Sequence, residues 1–565
     1  MEKNAIIAVV LSILVLVVYQ YFFVPTPDQP LSQRNTTKEL AQQDHAGEKR
    51  AGEISQAPGK KSSTIQPASP VQTGVSENNT ASQLPEKAAE GQDIVVETSL
   101  FRATFTESGG AIKSFVLKKY RQTLDKNSPG VELVNVAPPI LPLGLKLTAN
   151  NKPVDMRGLK FNYEGPAKII LSEPEQEQKI VLSARLQDGT GIKKIFSIKN
   201  DTYLIHLEVL VENGSAGNYT LFLYNRPYKH GKSRYIFTGP SYCSQGRMTE
   251  VKIDKPGQHQ QFTGYVDWMA YGDNYFMTSV IPDIPETQWR LDFNRIDQDG
   301  LTESAISRSI APDKQQKRVA EMEVYFGPKE IKRLNALGHN LSAAINFGWF
   351  DPIAKPLLYT LHFLYRYLHN YGLAIIVLTI LIKIVFWPLS HKSAKSMKTM
   401  QKLAPKLQKI KEKYGDDKER LNKEMMQLYK TYKVNPMSGC LPMLLQIPVF
   451  FALYKVLLMS IELRHAPFML WINDLSAPDR LMVPGIEIPY LGGLPVLTVL
   501  MGASMWLQMK MSPSSMDPTQ AKIMQMLPIV FTFMFISFPS GLVLYWLVNN
   551  ILTIAQQYYI NKFTE

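Results

Sequence analysis

Hydrophobic positions follow two patterns along this chain. Toward both ends they run unbroken for about the length of a membrane helix, and between Asp93 and Leu341 they alternate with polar residues at the period of a strand. The first unbroken run, Ala5–Val24, is interrupted only by Ser12 and Gln20. No small-residue cleavage site follows it, which predicts an uncleaved transmembrane anchor over residues 1–24 with its N-terminus in the cytoplasm. Residues 25–92 hold no Phe, Trp or Tyr and are rich in Pro, Gln, Ser, Thr and Lys. Such a segment buries too little apolar area to offset its ordering entropy and predicts a disordered linker.

The alternating region supplies short runs such as Asp93–Thr98, Lys179–Leu186, Lys193–Ile198 and Tyr203–Glu212. Asp188-Gly189, Asn213-Gly214 and Asp299-Gly300 have the composition of hairpin turns. Residues 93–341 are therefore predicted to form one large β-sandwich, helical only near Pro328–Leu337.

Helical spacing begins at Pro352–Asn370, where Ile353, Leu357, Leu361, Leu364 and Leu368 recur with Lys355, His362 and Arg366 among them. This predicts an amphipathic interfacial helix within residues 342–370, with a core helix of the β domain as the competing reading. Tyr371–Ser390 is apolar enough to span a bilayer, giving a transmembrane segment over 371–389. In residues 390–434, Met400, Leu403, Leu407, Ile410 and Tyr414 face Leu421, Met425, Leu428 and Tyr432 across Gly415-Asp416-Asp417. That is an antiparallel helical hairpin, with Pro405 expected to kink its first helix. Four more spans follow in residues 435–565: Cys440–Ile461, Leu491–Leu507, Ile523–Phe538 and Leu542–Ile560. The predicted fold class is a polytopic α-helical membrane protein with six transmembrane helices, a large all-β domain and a helical hairpin.

Charge sets the orientation. The net charge of +13 is concentrated in Ser390–Lys433, which carries 13 Lys/Arg against 5 Asp/Glu. The loop Glu462–Tyr490 carries only Arg464 and Arg480. The hairpin and both termini are therefore cytoplasmic, and the β domain lies on the other side. Cys243 and Cys440 fall on opposite sides of the membrane in this topology, so no disulfide between them is expected. Of the 23 methionines, 17 lie between Met397 and Met534, in keeping with membrane-core filling or with an adaptable apolar surface.

The chemistry is sparse. In the β domain His206, His230 and His259 are scattered, no HExxH motif occurs, and no Gly-rich phosphate loop follows a strand. The five C-terminal spans contain Lys383 and Lys455 and no Asp or Glu. Lys455 is near enough to the outer edge to snorkel, whereas Lys383 is near mid-span, where an unpaired cation costs on the order of 3 kcal/mol. With no acidic partner, Lys383 is expected to be satisfied by water and by Thr379, Gln446, Asn549 or Asn550 in a hydrated cavity; snorkelling is the alternative. Lack of an intramembrane carboxylate argues against a proton-coupled transporter.

Three stretches carry a resemblance: Asn435–Leu457 (NPMSGCLPMLLQIPVFFALYKVL), Glu462–Asp479 (ELRHAPFMLWINDLSAPD) and Phe538–Gln557 (FPSGLVLYWLVNNILTIAQQ), with Asn370-Tyr371-Gly372 before them. Together they resemble the YidC/Oxa/Alb family of membrane protein insertases, and the layout of the β domain is similar to the Gram-negative YidC form. The resemblance implies a periplasmic β-supersandwich of galactose-mutarotase type and an inner-membrane insertase and folding chaperone acting alone or with the Sec translocon. It also implies a groove open to cytoplasm and lipid, with Lys383 where the family usually carries arginine. Thr379, Ile447, Phe450, Met534, Tyr545 and Trp546 match substrate-contacting positions, all but Thr379 on an apolar slide. The expected partners are nascent membrane proteins, the Sec translocon and membrane lipids. The hairpin lysines Lys406, Lys409, Lys411 and Lys413 are candidate contacts for the ribosome, lipid headgroups or clients. The ending Asn561–Glu565 lacks the long basic tail of some members. No cofactor, metal or catalytic residue is expected. A small-solute transporter and a membrane-anchored sugar-processing enzyme are the alternatives.

Overall fold

The computed structural model describes residues 90–563 except 229–235, 284–286, 310–317, 433–440, 486–490 and 512–517. The predicted anchor Ala5–Val24, nearly all of the linker, His230 and Cys440 lie outside these residues. Between Asp93 and Pro328 the described residues form twenty strands in sheets of five, nine and six. In the nine-stranded sheet Trp268–Gly272, Phe276–Pro282, Arg318–Pro328 and Leu204–Glu212 lie side by side, antiparallel throughout. Phe276–Pro282 is buried at every position, the pattern of a strand covered on both faces. Gly191–Lys199 nearer the edge keeps strict alternation, with Ile192, Phe196 and Ile198 inward.

Two of the three predicted hairpin turns join neighbouring strands. Asp188-Gly189 links Glu177–Arg185 to Gly191–Lys199, and Asp299-Gly300 links Gln288–Arg295 to Thr302–Arg308. Asn213-Gly214 does not: Leu204–Glu212 belongs to the nine-stranded sheet and Ala216–Asn225 to the six-stranded one. Asn213 sits at φ 58°, a left-handed turn residue that carries the chain across the sandwich rather than back along it. The predicted helix over Pro328–Leu337 is also shorter. Pro328 still ends a strand, and α1 spans Ile331–Leu337.

Lys194 points into the sandwich, where its ammonium donates to the carbonyls of Gly109, Gly110 and Leu143 at 3.2, 2.8 and 2.8 Å. Burial pushes its pKa down to about 7, and burial likewise lowers that of Lys329 to about 8. Both unfolded lysines hold their protons to about pH 10.4, so the unfolded chain binds more protons just above neutrality. β-domain stability should therefore rise with pH between about pH 7 and 8.5, by on the order of 1–2 kcal/mol from Lys194. Urea unfolding of the full chain followed by the buried Trp268 and Trp289 measures it. Lys194→Met should remove most of the slope.

The rest is helical: α2 (Asp351–Leu368), α3 (Tyr371–Tyr414), α4 (Lys418–Thr431), α5 (Leu441–Met459), α6 (Val496–Met511), α7 (Pro518–Phe535) and α8 (Ser540–Phe563). α8 packs on α6 and α3, α6 on α7, and α2 on both α3 and α5. Among the described residues one stretch, Tyr371–Met400, is by itself long and apolar enough to cross a bilayer; α5 and α7 contain the shorter apolar stretches Leu445–Met459 and Gln525–Phe535. Val385, Val530 and Phe533 are among many large apolar side chains left exposed on the bundle. Outward apolar faces suit lipid rather than water.

Several predicted boundaries shift. The span 371–389 and the first hairpin helix are one continuous helix of 44 residues, running through Pro388 and Pro405. No glycine or cap follows Pro388 until Gly415, and Asp417 then starts α4 by accepting from the Arg420 amide at 3.0 Å. The predicted span Leu491–Leu507 becomes helical only at Val496, because Gly492 takes φ 71° and Leu494 pairs with Leu481 in an isolated bridge. Where α3 meets α4, Met400 and Leu403 are buried against Tyr429, not Tyr432. Tyr432 stays exposed, its hydroxyl accepting from Lys406.

Candidate membrane groove and its plug

Lys383 follows the start of α3 by 12 residues, and Thr553 follows the start of α8 by 13, about 18 and 20 Å of helix respectively. The two side chains meet at that depth: Lys383 Nζ donates to Thr553 Oγ1 at 2.8 Å. Thr553 in turn donates to the Asn549 carbonyl at 2.6 Å, so its lone pairs are free to face the ammonium. Gln446 of α5 donates to Asn549 Oδ1 at 3.1 Å, and Asn550 donates to Ser504 of α6 at 3.0 Å. The result is a neutral polar layer among α3, α5, α6 and α8, holding one half-exposed cation.

The direct partner is not among the four predicted. Thr379 is buried and donates to the Ile375 carbonyl of its own helix at 2.6 Å. Gln446 and Asn549 pair with each other, and Asn550 with Ser504. Thr553 escaped the sequence reading because a lone threonine on an apolar helix usually bonds back to its own backbone, as this one also does. Its position four residues after Asn549 was the available signal.

An aromatic layer lies between the polar layer and the β-domain end of the helices. Phe450 and Trp546 meet edge to face at 4.7 Å, Trp546 also meets Phe535 at 4.5 Å, and Tyr545 stacks toward Phe450 at 6.4 Å. The predicted slide is thus split: Phe450, Tyr545 and Trp546 are together, while Ile447 and Met534 are exposed on the bundle surface. Lys455 donates to the Phe347 carbonyl at 3.1 Å, just before α2, and so points away from the polar layer.

Beyond the aromatic layer the loop Glu462–Arg480, termed the plug loop, packs against the ends of the helices. Gly372 of α3 lies so close to Phe468 that a Cβ there would sit 2.0 Å from the ring, and Asn370 both caps α3 and donates to the Phe468 carbonyl at 2.9 Å. This explains the Asn-Tyr-Gly sequence as a fit to the loop. Asp479 is buried and accepts from the Trp471 indole at 2.6 Å and from the Leu497 and Thr498 amides at 2.5 and 3.2 Å, capping α6. Arg480 donates to the carbonyls of Leu491, Asp479 and Ile536 at 2.7, 2.6 and 3.0 Å. Asp474 and Leu475 carbonyls accept from Ser540 Oγ and the Gly541 amide at 2.8 and 2.9 Å, fixing the start of α8. One loop therefore holds the ends of α3, α6, α7 and α8 together.

In the hairpin, Lys406, Lys409 and Lys413 are exposed and Lys411 half-buried, so most of that charge faces outward. In the β domain, His206 Nε2 lies 3.4 Å from Glu208 and 3.2 Å from Glu321. Arg318 already pairs with both carboxylates at 3.3 and 2.5 Å, supplying the charge a cation would bring. His259 pairs with Asp292 at 3.1 Å.

Residues 363–565 match the family model described as 60Kd inner membrane protein, and residues 93–360 match that of the YidC periplasmic domain. The chain is 42% identical to a membrane protein insertase YidC of Syntrophus aciditrophicus, over all of both chains. It is 40% identical to the protein of that name from Pelobacter propionicus, over 100% of this chain and 99% of the relative. Among solved structures, an active YidC insertase with its first transmembrane domain resolved aligns over 85% of this chain and 95% of that one, at 19% identity and a TM-score of 0.35.

Proposed function

The chain belongs to the YidC family of membrane protein insertases, and from that membership we propose how its layers divide the work of moving a client segment into the bilayer. It is an inner-membrane insertase of membrane proteins with a periplasmic β domain. On our reading it has six spans, with Ala5–Val24 as the first and α3, α5, α6, α7 and α8 as the rest, both termini and the α3–α4 hairpin being cytoplasmic. The excess of basic residues in Ser390–Lys433 supports that orientation. The polar layer receives the client's hydrophilic segment, Lys383 attracts its acidic or polar groups, and its apolar segment leaves sideways past Ile447, Phe450, Met534, Tyr545 and Trp546. The aromatic layer and the plug keep the groove shut toward the periplasm. The observation that carries this reading is the Lys383–Thr553 bond, a cation held by a neutral hydroxyl in spans containing no carboxylate. Such a charge, held by no carboxylate, is available to a passing client.

The test is insertion of a short single-span protein into liposomes containing only this chain. Protease protection of its translocated tail is the expected result, and no insertion above protein-free liposomes would remove the reading of an insertase that acts alone. Cooperation with the Sec translocon is proposed for longer clients. The outward-facing hairpin lysines should attract the ribosome or anionic clients. Reversing the charge of Lys406, Lys409, Lys411 and Lys413 should lower crosslinking to both several-fold at low salt and little at high salt. Crosslinking equal to that of the unmodified chain at low salt would leave the hairpin a solvated loop.

A further inference from the structure

We propose that Arg464 is a latch that seats the β domain on the plug and so couples the domain's position to closure of the groove. Arg464 lies in the plug loop, 343 residues from Arg121 in sequence, yet its Nη2 donates to the carbonyls of Arg121 and Gln122 at 2.6 and 3.2 Å. Its guanidinium also stands over the Phe276 ring at 5.6 Å. These acceptors lie at the end of a strand, where the Gln122 amide donates to the Pro129 carbonyl at 2.9 Å. Arg121 ends the strand Ala111–Arg121, and the preceding Tyr120 meets Phe276 edge to face at 5.5 Å. The Tyr120 hydroxyl donates to Glu330, which Arg333 holds from its other side at 3.0 Å. One nitrogen shared between two backbone carbonyls, with the cation over an aromatic face, is a specific seat for a charged donor.

On the plug side the next residue continues the chain of bonds. The His465 amide donates to Asp474 Oδ1 at 3.0 Å, and the same oxygen accepts from the Ser476 amide and hydroxyl at 2.8 and 2.7 Å. The Asp474 carbonyl then accepts from Ser540 at the first residue of α8. From Phe276 in the sandwich to the helix that carries Thr553, a continuous run of contacts passes through Arg464, His465, Asp474 and Ser540. The loop's other arginine, Arg480, spends its bonds inside the plug, which leaves Arg464 as the one turned toward the sandwich. This rests on the reading that the plug shuts the groove, and it does not depend on Lys383.

Hydrogen–deuterium exchange on the full chain in lipid nanodiscs tests it, comparing Arg464→Met and Arg464→Lys with the unmodified protein. Arg464→Met keeps the apolar stem and loses every donor. It should raise exchange on the order of tenfold at two separated places, residues 117–123 of the β domain and residues 540–543 of α8. Arg464→Lys, which retains donors for the two carbonyls, should restore most of the protection at both. Strands 177–212 serve as the reference for intact folding. If Arg464→Met leaves either place at unmodified protection, or loosens only residues 462–468, the latch is overturned. Should Arg464→Met also loosen residues 177–212, Arg464→Lys decides: near-normal protection at both places supports the latch, and a change confined to 462–468 removes it.

Discussion

Insertion of a client with an acidic translocated tail is expected to fall by at least about tenfold when Lys383 is replaced by glutamate, and to survive replacement by arginine. The ammonium stands among neutral groups, so among the described residues it is the only formal charge placed at that depth in the bundle. An ion pair across a hydrated groove at an effective dielectric near 20 is worth up to about 4 kcal/mol before desolvation is subtracted. Losing tenfold requires only about 1.4 kcal/mol. Reversing the sign replaces attraction with repulsion, so Lys383→Glu should be worse than Lys383→Ala. A matched client with its acidic residues neutralised should be affected much less, because its apolar segment still enters lipid by hydrophobic transfer. Paired insertion assays in liposomes read the difference. Equal losses for both clients would make Lys383 a structural residue, and full activity of the Glu variant would make it a bystander. Thr553→Val refines the picture: it removes the hydroxyl that holds the ammonium while keeping the shape, and should shift client preference without abolishing insertion.

Asp479→Ala should have the largest effect on stability, lowering it by about 3 kcal/mol. The carboxylate is buried and accepts three N–H groups, one from the Trp471 indole and two from the first turn of α6. Loss of a helix cap costs about 1 kcal/mol, and hydrogen bonds to a charged group are worth about 1.5–3 kcal/mol, with three donors left unpaired in the variant. Thermal unfolding in detergent should show the loss directly. Because Asp479 joins the plug to α6, the variant should also leak: liposomes holding it should pass small ions faster than those holding the unmodified chain. Asp479→Asn keeps one acceptor oxygen but aims an NH2 group at the remaining donors, so it should fall between the two. An Asn variant as stable as the unmodified protein would mean that the charge on the cap is unimportant.

The alternation from Asp93 to Leu341, the long apolar runs after Tyr371 and the basic stretch Ser390–Lys433 were enough, read alone, to expect a β domain joined to a membrane bundle with a charged hairpin. Those are local properties: side-chain period, run length and charge density are written residue by residue, and the family motifs at Asn435, Glu462 and Phe538 add to them. Lys383 also stands out in one dimension, because a lysine in an apolar span without acidic residues is a local anomaly. What it touches is not local. Thr553 lies 170 residues away on another helix, and only the crossing of α3 and α8 brings the two together. Helix ends were misjudged where a contact outweighed composition: Leu494 is apolar enough for a span but is held by Leu481, and Pro388 breaks nothing because no cap follows it. The turn at Asn213 has the composition of a hairpin, and its direction was decided by which sheet needed the next strand. Arg464 and Asp479 read as ordinary loop charges in the chain, since the Arg464 acceptors lie 343 and 342 residues away and the Asp479 donors, 8, 18 and 19 residues away, follow no periodic spacing. The sequence by itself determined which stretches alternate, which are apolar enough to enter a membrane and which are densely charged, because each of these is a property of the segment's own pattern. Which polar side chains meet inside the bundle, and how one loop binds four helix ends and the β domain, was decided only by tertiary packing, because those bonds depend on distances that no single segment contains.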